Sequence, residues 1–188
     1  MWVLFLCGLL NVMITMSNAE TLCVCTTVPC PENGQNTIQM GGGTAKITYE
    51  YKTHGEYPVV IAAQGVITPL DLDHGTDTTS CTQKYSRILD DDGIKDCDAG
   101  HILANRLGGY GNEPLNIFPQ DASINRGSYA QFENNVYHCI ESGAKDANFQ
   151  WKFTYENDTR TKPNKIEYSV SFDGGNCTQL SSVFTNGE

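Results

Sequence analysis

The hydrophobic pattern of this chain changes period twice, and that order constrains the fold more than any other feature. From Ala45 to Tyr51 (AKITYEY) apolar and polar residues alternate, as in a half-buried strand. Residues 57–67 (YPVVIAAQGVI) read as a second strand, with Gly65 marking a bend or bulge. From Ser123 the period lengthens. Phe132, Val136 and Ile140 recur every four residues as the core-facing stripe of a helix, and Gly143 supplies its stop. Alternation then returns in FQWKFTYE, KIEYSVSF and LSSVF. Strands, one long helix, then more strands exclude a doubly wound α/β sheet, whose strands and helices alternate. The order predicts an α+β protein with a mostly antiparallel sheet.

The N-terminal residues read as a signal for export rather than as part of that fold. MWVLFLCGLL is apolar but too short to span a bilayer comfortably, and Ser17-Asn18-Ala19 suits signal peptidase. Three parts are therefore expected: a signal peptide over 1–19, a Cys-, Pro- and Gly-rich irregular arm over 20–43, and one domain over 44–188. No later segment is apolar enough to cross a membrane, so the mature chain is expected to be secreted without stable membrane association. Cys23, Cys25, Cys30, Cys81, Cys97, Cys139 and Cys177 remain after cleavage, and an oxidising compartment would pair them. Seven is odd, so one thiol stays free or pairs with another chain, or cleavage falls at another site. Zinc is a poor rival, because Cys23-x-Cys25 and Cys30 fit no common finger spacing. Residues 69–97 are polar and turn-rich, and a cross-link between Cys81 and Cys97 would explain so long a loop. Asn157-Asp158-Thr159 and Asn176-Cys177-Thr178 are N-glycosylation sequons, which count only in a eukaryotic source.

A net charge of -10 disfavours any partner that needs a broad basic face. The acids are scattered, with a cluster at Asp90-Asp91-Asp92, while Lys84, Arg87, Lys95, Arg106 and Arg126 gather around one stretch. That stretch is DAGHILANRLGGYGNEPLNIFPQDASINRGSYAQFENNVY. His101 opens an apolar run that reads as a strand. Gly108, Gly109 and Gly111 form a flexible connection, an Asn-rich loop follows (Asn116 to Gln120), and Asn125-Arg126-Gly127 opens the helix that carries Glu133. Phosphodiester hydrolysis needs such parts. A water must lose a proton near neutral pH, which suits His101. Charge on the phosphate must be neutralised, commonly by Mg²⁺, which takes oxygen ligands and keeps most of its waters. The Asn125 amide oxygen suits that ion, and Arg126 or Arg106 could hold the phosphate. Asn125 and Glu133 stand eight residues apart, about 12 Å and 80° on an ideal helix. Glu133 therefore suits a water on the ion rather than the ion itself.

DAGHILA, NIFPQ and NRGSYAQFE together resemble the DNA/RNA non-specific endonucleases, the ββα-metal or His-Me finger nucleases. The Asp-Ala-Gly-His form, the spaced Glu133 and the tail from Phe153 to Phe184-x-Asn186 are similar to the branch of nuclease toxins exported by type VII secretion. The resemblance covers roughly residues 44–186. It implies a ββα-metal motif, in a fold that the cysteines are expected to stabilise by disulfides, and cleavage of DNA and RNA that leaves 5′-phosphates. It implies His101 as general base, Asn125 as the ligand of Mg²⁺ (or Mn²⁺), and Glu133 orienting a water on that ion. Asn116 would lie beside the site, supporting the His or the phosphate, and Asp98 would fix the strand entry around His101. Two positions depart from the wider family. Ala99 stands where many members carry Arg, although the toxin-like branch also has Ala there, and Tyr137 stands where some carry a helix Arg. Phosphate binding then falls to Arg106, Arg126 or Lys95. Base-specific readout is not expected, because phosphates carry no sequence information.

Two other functions compete with an active nuclease. One is a nuclease fold that only binds nucleic acid or a partner, which intact His101, Asn125 and Glu133 argue against. The other is a disulfide-rich interaction module, which explains Cys23 to Cys30 but not the ordered motif. Tyr129 and Phe132 read as core residues rather than base-stacking platforms, and His54, His74 and His138 as structural or surface residues.

Overall fold

The computed structural model describes residues 33–55, 57–90 and 97–187. The expected signal peptide, Cys23, Cys25, Cys30 and Lys95 lie outside the described residues. Six strands form one antiparallel sheet in the order β1-β2-β3-β6-β7-β8: β1 Gly34–Met40, β2 Ala45–His54, β3 Tyr57–Ile67, β6 Ala144–Thr154, β7 Lys165–Gly174 and β8 Gln179–Thr185. Between β3 and β6 the chain leaves the sheet. It forms helix α1 (Ser80–Ile88), then an antiparallel hairpin of β4 (Cys97–His101) and β5 (Ile117–Asp121), then the long helix. That helix begins as one α turn (Ala122–Ile124), winds as a π turn over Asn125–Tyr129, and continues as α2 (Ala130–Glu141).

Alternation sets which face of the sheet is covered. Ile47 and Tyr49 on β2, Phe149, Trp151 and Phe153 on β6, and Ile166, Tyr168 and Val170 on β7 point to one side and are buried. The α2 stripe of Phe132, Val136 and Ile140 packs on this face against β6 and β7. Fully burying a side chain of this kind contributes about 1.5–3 kcal/mol, so the stripe is a main anchor of the helix. Phe118 of β5 joins the same core, with its ring 5.3 Å from that of Phe153. Lys46, Glu50, Gln64, Gln150 and Lys152 lie on the opposite, exposed face. Gly143, at φ 119°, ends α2 as its sequence position predicted.

Disulfide Cys139–Cys177 ties the end of α2 to the β7–β8 turn across 38 residues of sequence. Closing such a loop contributes about 2–5 kcal/mol. The expected Cys81–Cys97 cross-link is not formed. Cys97 is a free thiol, and Cys81 is bonded elsewhere. The stretch they were expected to pin is organised instead by α1, whose N-terminus is capped reciprocally by Thr79 and Thr82, and by the buried carboxylate of Asp71.

Asp71 accepts from Thr44 N and Oγ1 (3.2 and 2.6 Å), Ala45 N (3.0 Å) and Thr68 N (2.9 Å). It pins the glycine turn that joins β1 to β2, where Gly41 takes φ 63° and Gly43 φ 95°. Burial would raise the Asp71 pKa, but the hydrogen bonds from Thr44, Thr68 and Ala45 outweigh it and hold the carboxyl below its ordinary value.

Three further expectations change. Residues 34–40 are an edge strand rather than irregular arm, because their backbone pairs with β2 from Gly34↔Tyr51 to Met40↔Ala45. The bulge lies at Glu50/Tyr51 of the β2–β3 ladder, not at Gly65. Gly65 pairs regularly with Ile47, and a side chain there would meet the Lys46 carbonyl, so close strand approach is its reason. His101 ends β4 rather than starting a strand. The apolar run after it, Ile102 to Ala104, is buried as a loop.

Candidate active site

The hairpin and the long helix meet at one cavity of about 350 Å³, lined by His101, Asn105, Arg106, Asn125, Glu133, Asn134 and Tyr137 among others. His101 arrives there as the last residue of β4, paired with Ile117. Its Nε2 lies 3.2 Å from the carbonyl of Thr76. A carbonyl can only accept, so Nε2 carries the proton and Nδ1 keeps its lone pair. Burial lowers the His101 pKa. The Thr76 contact and the nearby Asp77 oppose that shift without cancelling it.

Asn125 is oriented by the same logic. Its Nδ2 donates to Asp98 Oδ2 at 2.8 Å, and a carboxylate can only accept, so the amide oxygen faces away from Asp98. Arg126 grips the same carboxylate with Nε (2.8 Å) and Nη2 (2.6 Å). Burial would raise the Asp98 pKa, but Arg126 and Asn125 together hold it below the ordinary carboxylate value. Asp98 thus joins β4 to the start of the helix. Arg126, expected at the phosphate, is occupied in this joint and does not line the cavity.

The π turn explains how Asn125 and Glu133 share a cavity despite their spacing. Winding i→i+5 turns the chain less per residue than an α-helix, and Gly127 (φ -109°, ψ -108°) adds a kink. The slower winding offsets part of the 80° expected of a straight helix. Glu133 Oε1 is enclosed and has no hydrogen-bond partner among the described residues. Burial pushes its pKa well above the ordinary value. The Asn125 amide oxygen is a hard donor, the kind that suits Mg²⁺ or Mn²⁺ with water completing the shell, and Glu133 stands where it can meet such a water. Among the described residues no three His, Cys, Asp or Glu side chains gather as a metal cluster.

Arg106 stands across the cavity. Its guanidinium carbon lies 4.0 Å from the centre of the Tyr137 ring, and Nη1 donates to Asn134 Oδ1 at 3.1 Å. The Tyr137 ring is the platform under that guanidinium.

Asn116, expected beside the site in support of the His or the phosphate, does not line the cavity. It is wholly buried behind the loop that follows His101. Its Oδ1 accepts from Tyr49 Oη (2.9 Å) and Leu103 N (2.8 Å), while Nδ2 donates to the carbonyls of Leu103 (3.0 Å) and Tyr110 (3.2 Å). Three of these four bonds shape residues 103–110, and the fourth ties them to β2. Tyr129 and Phe132 are core residues, 1% and 9% exposed, and offer no face for stacking bases.

Sequence reasoning missed the stretch from Asp71 to Thr79. Thr76 fixes His101, Asp77 Oδ1 accepts from Asn105 Nδ2 (2.6 Å), and Asp73 contacts both Arg106 and Tyr137. The one signal was the length of this polar segment.

A hairpin and a helix that present a His, an Asn and a Glu to one cavity define the ββα nuclease class. The sequence matches the DNA/RNA non-specific endonuclease family over residues 37–174, and the chain belongs to that family. It is similar to the probable deoxyribonuclease RhsA of Dickeya dadantii (strain 3937), with 38% identity over 122 residues. The aligned stretch is 64% of this chain but 8% of that relative's length. In fold it is similar to NucA of Streptococcus agalactiae. The structure with no metal bound superimposes with TM-score 0.51 and 12% identity, covering 84% of this chain and 72% of that one. The structure with a magnesium ion bound gives TM-score 0.50 and 11% identity, with 84% and 74% covered. At such identities the likeness is one of fold.

Proposed function

We propose that this chain is a secreted, metal-dependent endonuclease that hydrolyses phosphodiester bonds of DNA and RNA without base preference. The observation that carries the reading is the convergence of His101, Asn125, Glu133 and Arg106 on one cavity. His101 is the general base: with its Nε2 proton given to Thr76, Nδ1 takes a proton from the attacking water. Asn125 Oδ1 is the ligand of a divalent cation, Mg²⁺ or Mn²⁺, which when bound supplies charge neutralisation at the phosphate and the leaving oxygen. Glu133 orients water at that position from the enclosed wall of the cavity. Arg106, spread on Tyr137, holds the scissile phosphate. Asp98 and Arg126 act through Asn125, keeping its oxygen turned toward the cavity. Secretion rests on the sequence of residues 1–19 and agrees with the Cys139–Cys177 disulfide.

Plasmid DNA and total RNA incubated with the purified protein, with and without chelator, test the activity. Cleavage that stops on chelation is the expected result. His101→Ala should lower the rate by roughly 10²–10⁴-fold with little change in metal dependence. The wild-type rate should fall as the pH drops through the His101 pKa, because the imidazolium cannot accept a proton. Burial places that acid limb below the ordinary value of about 6.5. Normal turnover by His101→Ala, or no cleavage of either substrate with Mg²⁺ or Mn²⁺, refutes the reading.

A further inference from the structure

Asp73 occupies an unusual position beside the cavity. It is the one non-glycine residue with positive φ (60°) among the described residues, a conformation rare for side chains other than Asn and Asp. Its backbone N–H donates to the Arg106 carbonyl at 2.9 Å, so the loop is fastened to the turn that carries Arg106. Its carboxylate meets both halves of the proposed phosphate subsite. Oδ2 accepts from the Tyr137 hydroxyl at 2.7 Å, and Oδ1 lies 3.8 Å from Arg106 Nε. Arg106 is the one Arg or Lys lining the cavity among the described residues, and Arg126 is already held by Asp98. An anion belonging to the protein therefore sits beside the guanidinium proposed to hold the phosphate.

We propose that Asp73 tunes the affinity of the phosphate subsite: it holds the Tyr137 hydroxyl beside Arg106 and competes with the substrate phosphate for the guanidinium. This rests on the nuclease reading above and adds to it. The two side chains are 60% and 56% exposed, so the pair is solvent-screened and a polyanion can displace it. Asn134 and the Tyr137 ring keep Arg106 in position during the exchange.

Asp73→Asn isolates the charge. Asn tolerates positive φ, and its amide oxygen can still accept from Tyr137. The measurement is anisotropy of a fluorescent DNA duplex with Mg²⁺ across a salt series, in a His101→Ala background that leaves the probe intact. Asp73→Asn should tighten binding by roughly two- to fivefold at low salt, with the gain shrinking as salt rises. In an Arg106→Ala background the gain should vanish, because the residue being competed for is gone. A purely structural Asp73 predicts the opposite sign, weaker binding with lower thermal stability. Unchanged or weaker affinity overturns the proposal, as does an equal gain without Arg106, which would mark a general effect of net charge. Wild-type cleavage run alongside separates the two levels. Cleavage with insensitive binding refutes the role of Asp73 alone, whereas absent cleavage refutes the nuclease reading.

Discussion

The six-stranded sheet and the β4–β5 hairpin are built from the same kind of antiparallel pairing but are secured by different means. In the sheet, β2, β6 and β7 span 10, 11 and 10 residues, and each pins its own register by alternation. A slip by one residue would turn Phe149, Trp151 and Phe153 out to solvent and Gln150 and Lys152 inward. The hairpin has two strands of five residues, with Gly100 in one and Pro119 in the other. Neither strand alternates cleanly. Its hold comes from buried polar side chains elsewhere. Asn116 shapes the loop after β4. Asn186, past the last strand, donates to the carbonyls of Pro119 (2.9 Å) and Pro163 (2.8 Å) and accepts from Asp121 N (2.8 Å). Support in the sheet is spread over many contacts, and support at the site is concentrated in a few atoms.

That difference breaks first at Asn116. Asn116→Ala strands two donors and two carbonyls in the interior, and should cost about 3–4 kcal/mol in urea unfolding while reducing nuclease activity. A loss under 1 kcal/mol would mean the hairpin is not secured this way. Asp71 sharpens the comparison through pH. Its folded pKa is depressed, so its stabilisation is complete above the ordinary carboxylate range and is lost as the pH falls through the folded value. Asp71→Asn should lower stability by about 1–3 kcal/mol at pH 7 and flatten the acid limb of stability against pH. An acid limb unchanged from wild type would refute that role. The smallest effect belongs to the open face of the sheet. Val183, 63% exposed on β8, should tolerate Thr within about 0.5 kcal/mol by thermal unfolding. A larger loss there would show the sheet to be as sensitive as the site.

The same difference governs what could be read from the sequence. The long strands and the stripe of α2 were legible because burial there follows a local period. β1 was missed, since an exposed edge strand of Gly, Gln, Asn and Thr lacks that period. α1 was missed because it is short and polar, and its Thr79–Thr82 cap lacks the acidic or amide side chain usual at the far end of such a box. At the site, His101, Asn125 and Glu133 were legible as a spaced motif. Arg126 was assigned to phosphate because charge shows in a sequence and prior commitment to Asp98 does not. Asn116 was placed beside the chemistry because the motif fixes its order in the chain but not its depth. Thr76 could not be found at all, since it contributes only its backbone carbonyl, which every residue possesses.

That backbone carbonyl bears on any attempt at transplantation. The motif from Asp98 to Glu133 is one contiguous stretch and looks portable to another scaffold. The atom that sets which imidazole nitrogen of His101 bears hydrogen belongs to residue 76, outside the stretch. The hydroxyl that helps to fill Asn116 comes from β2, and the carboxylate against Tyr137 comes from residue 73. A graft of the motif alone would carry His101, Asn125 and Glu133 with the Asp98 joint that orients Asn125, and leave behind the groups that orient His101, Asn116 and Tyr137. Its imidazole would be free to exchange tautomers, and the host would have to provide its own acceptor before the borrowed residues could behave as a set.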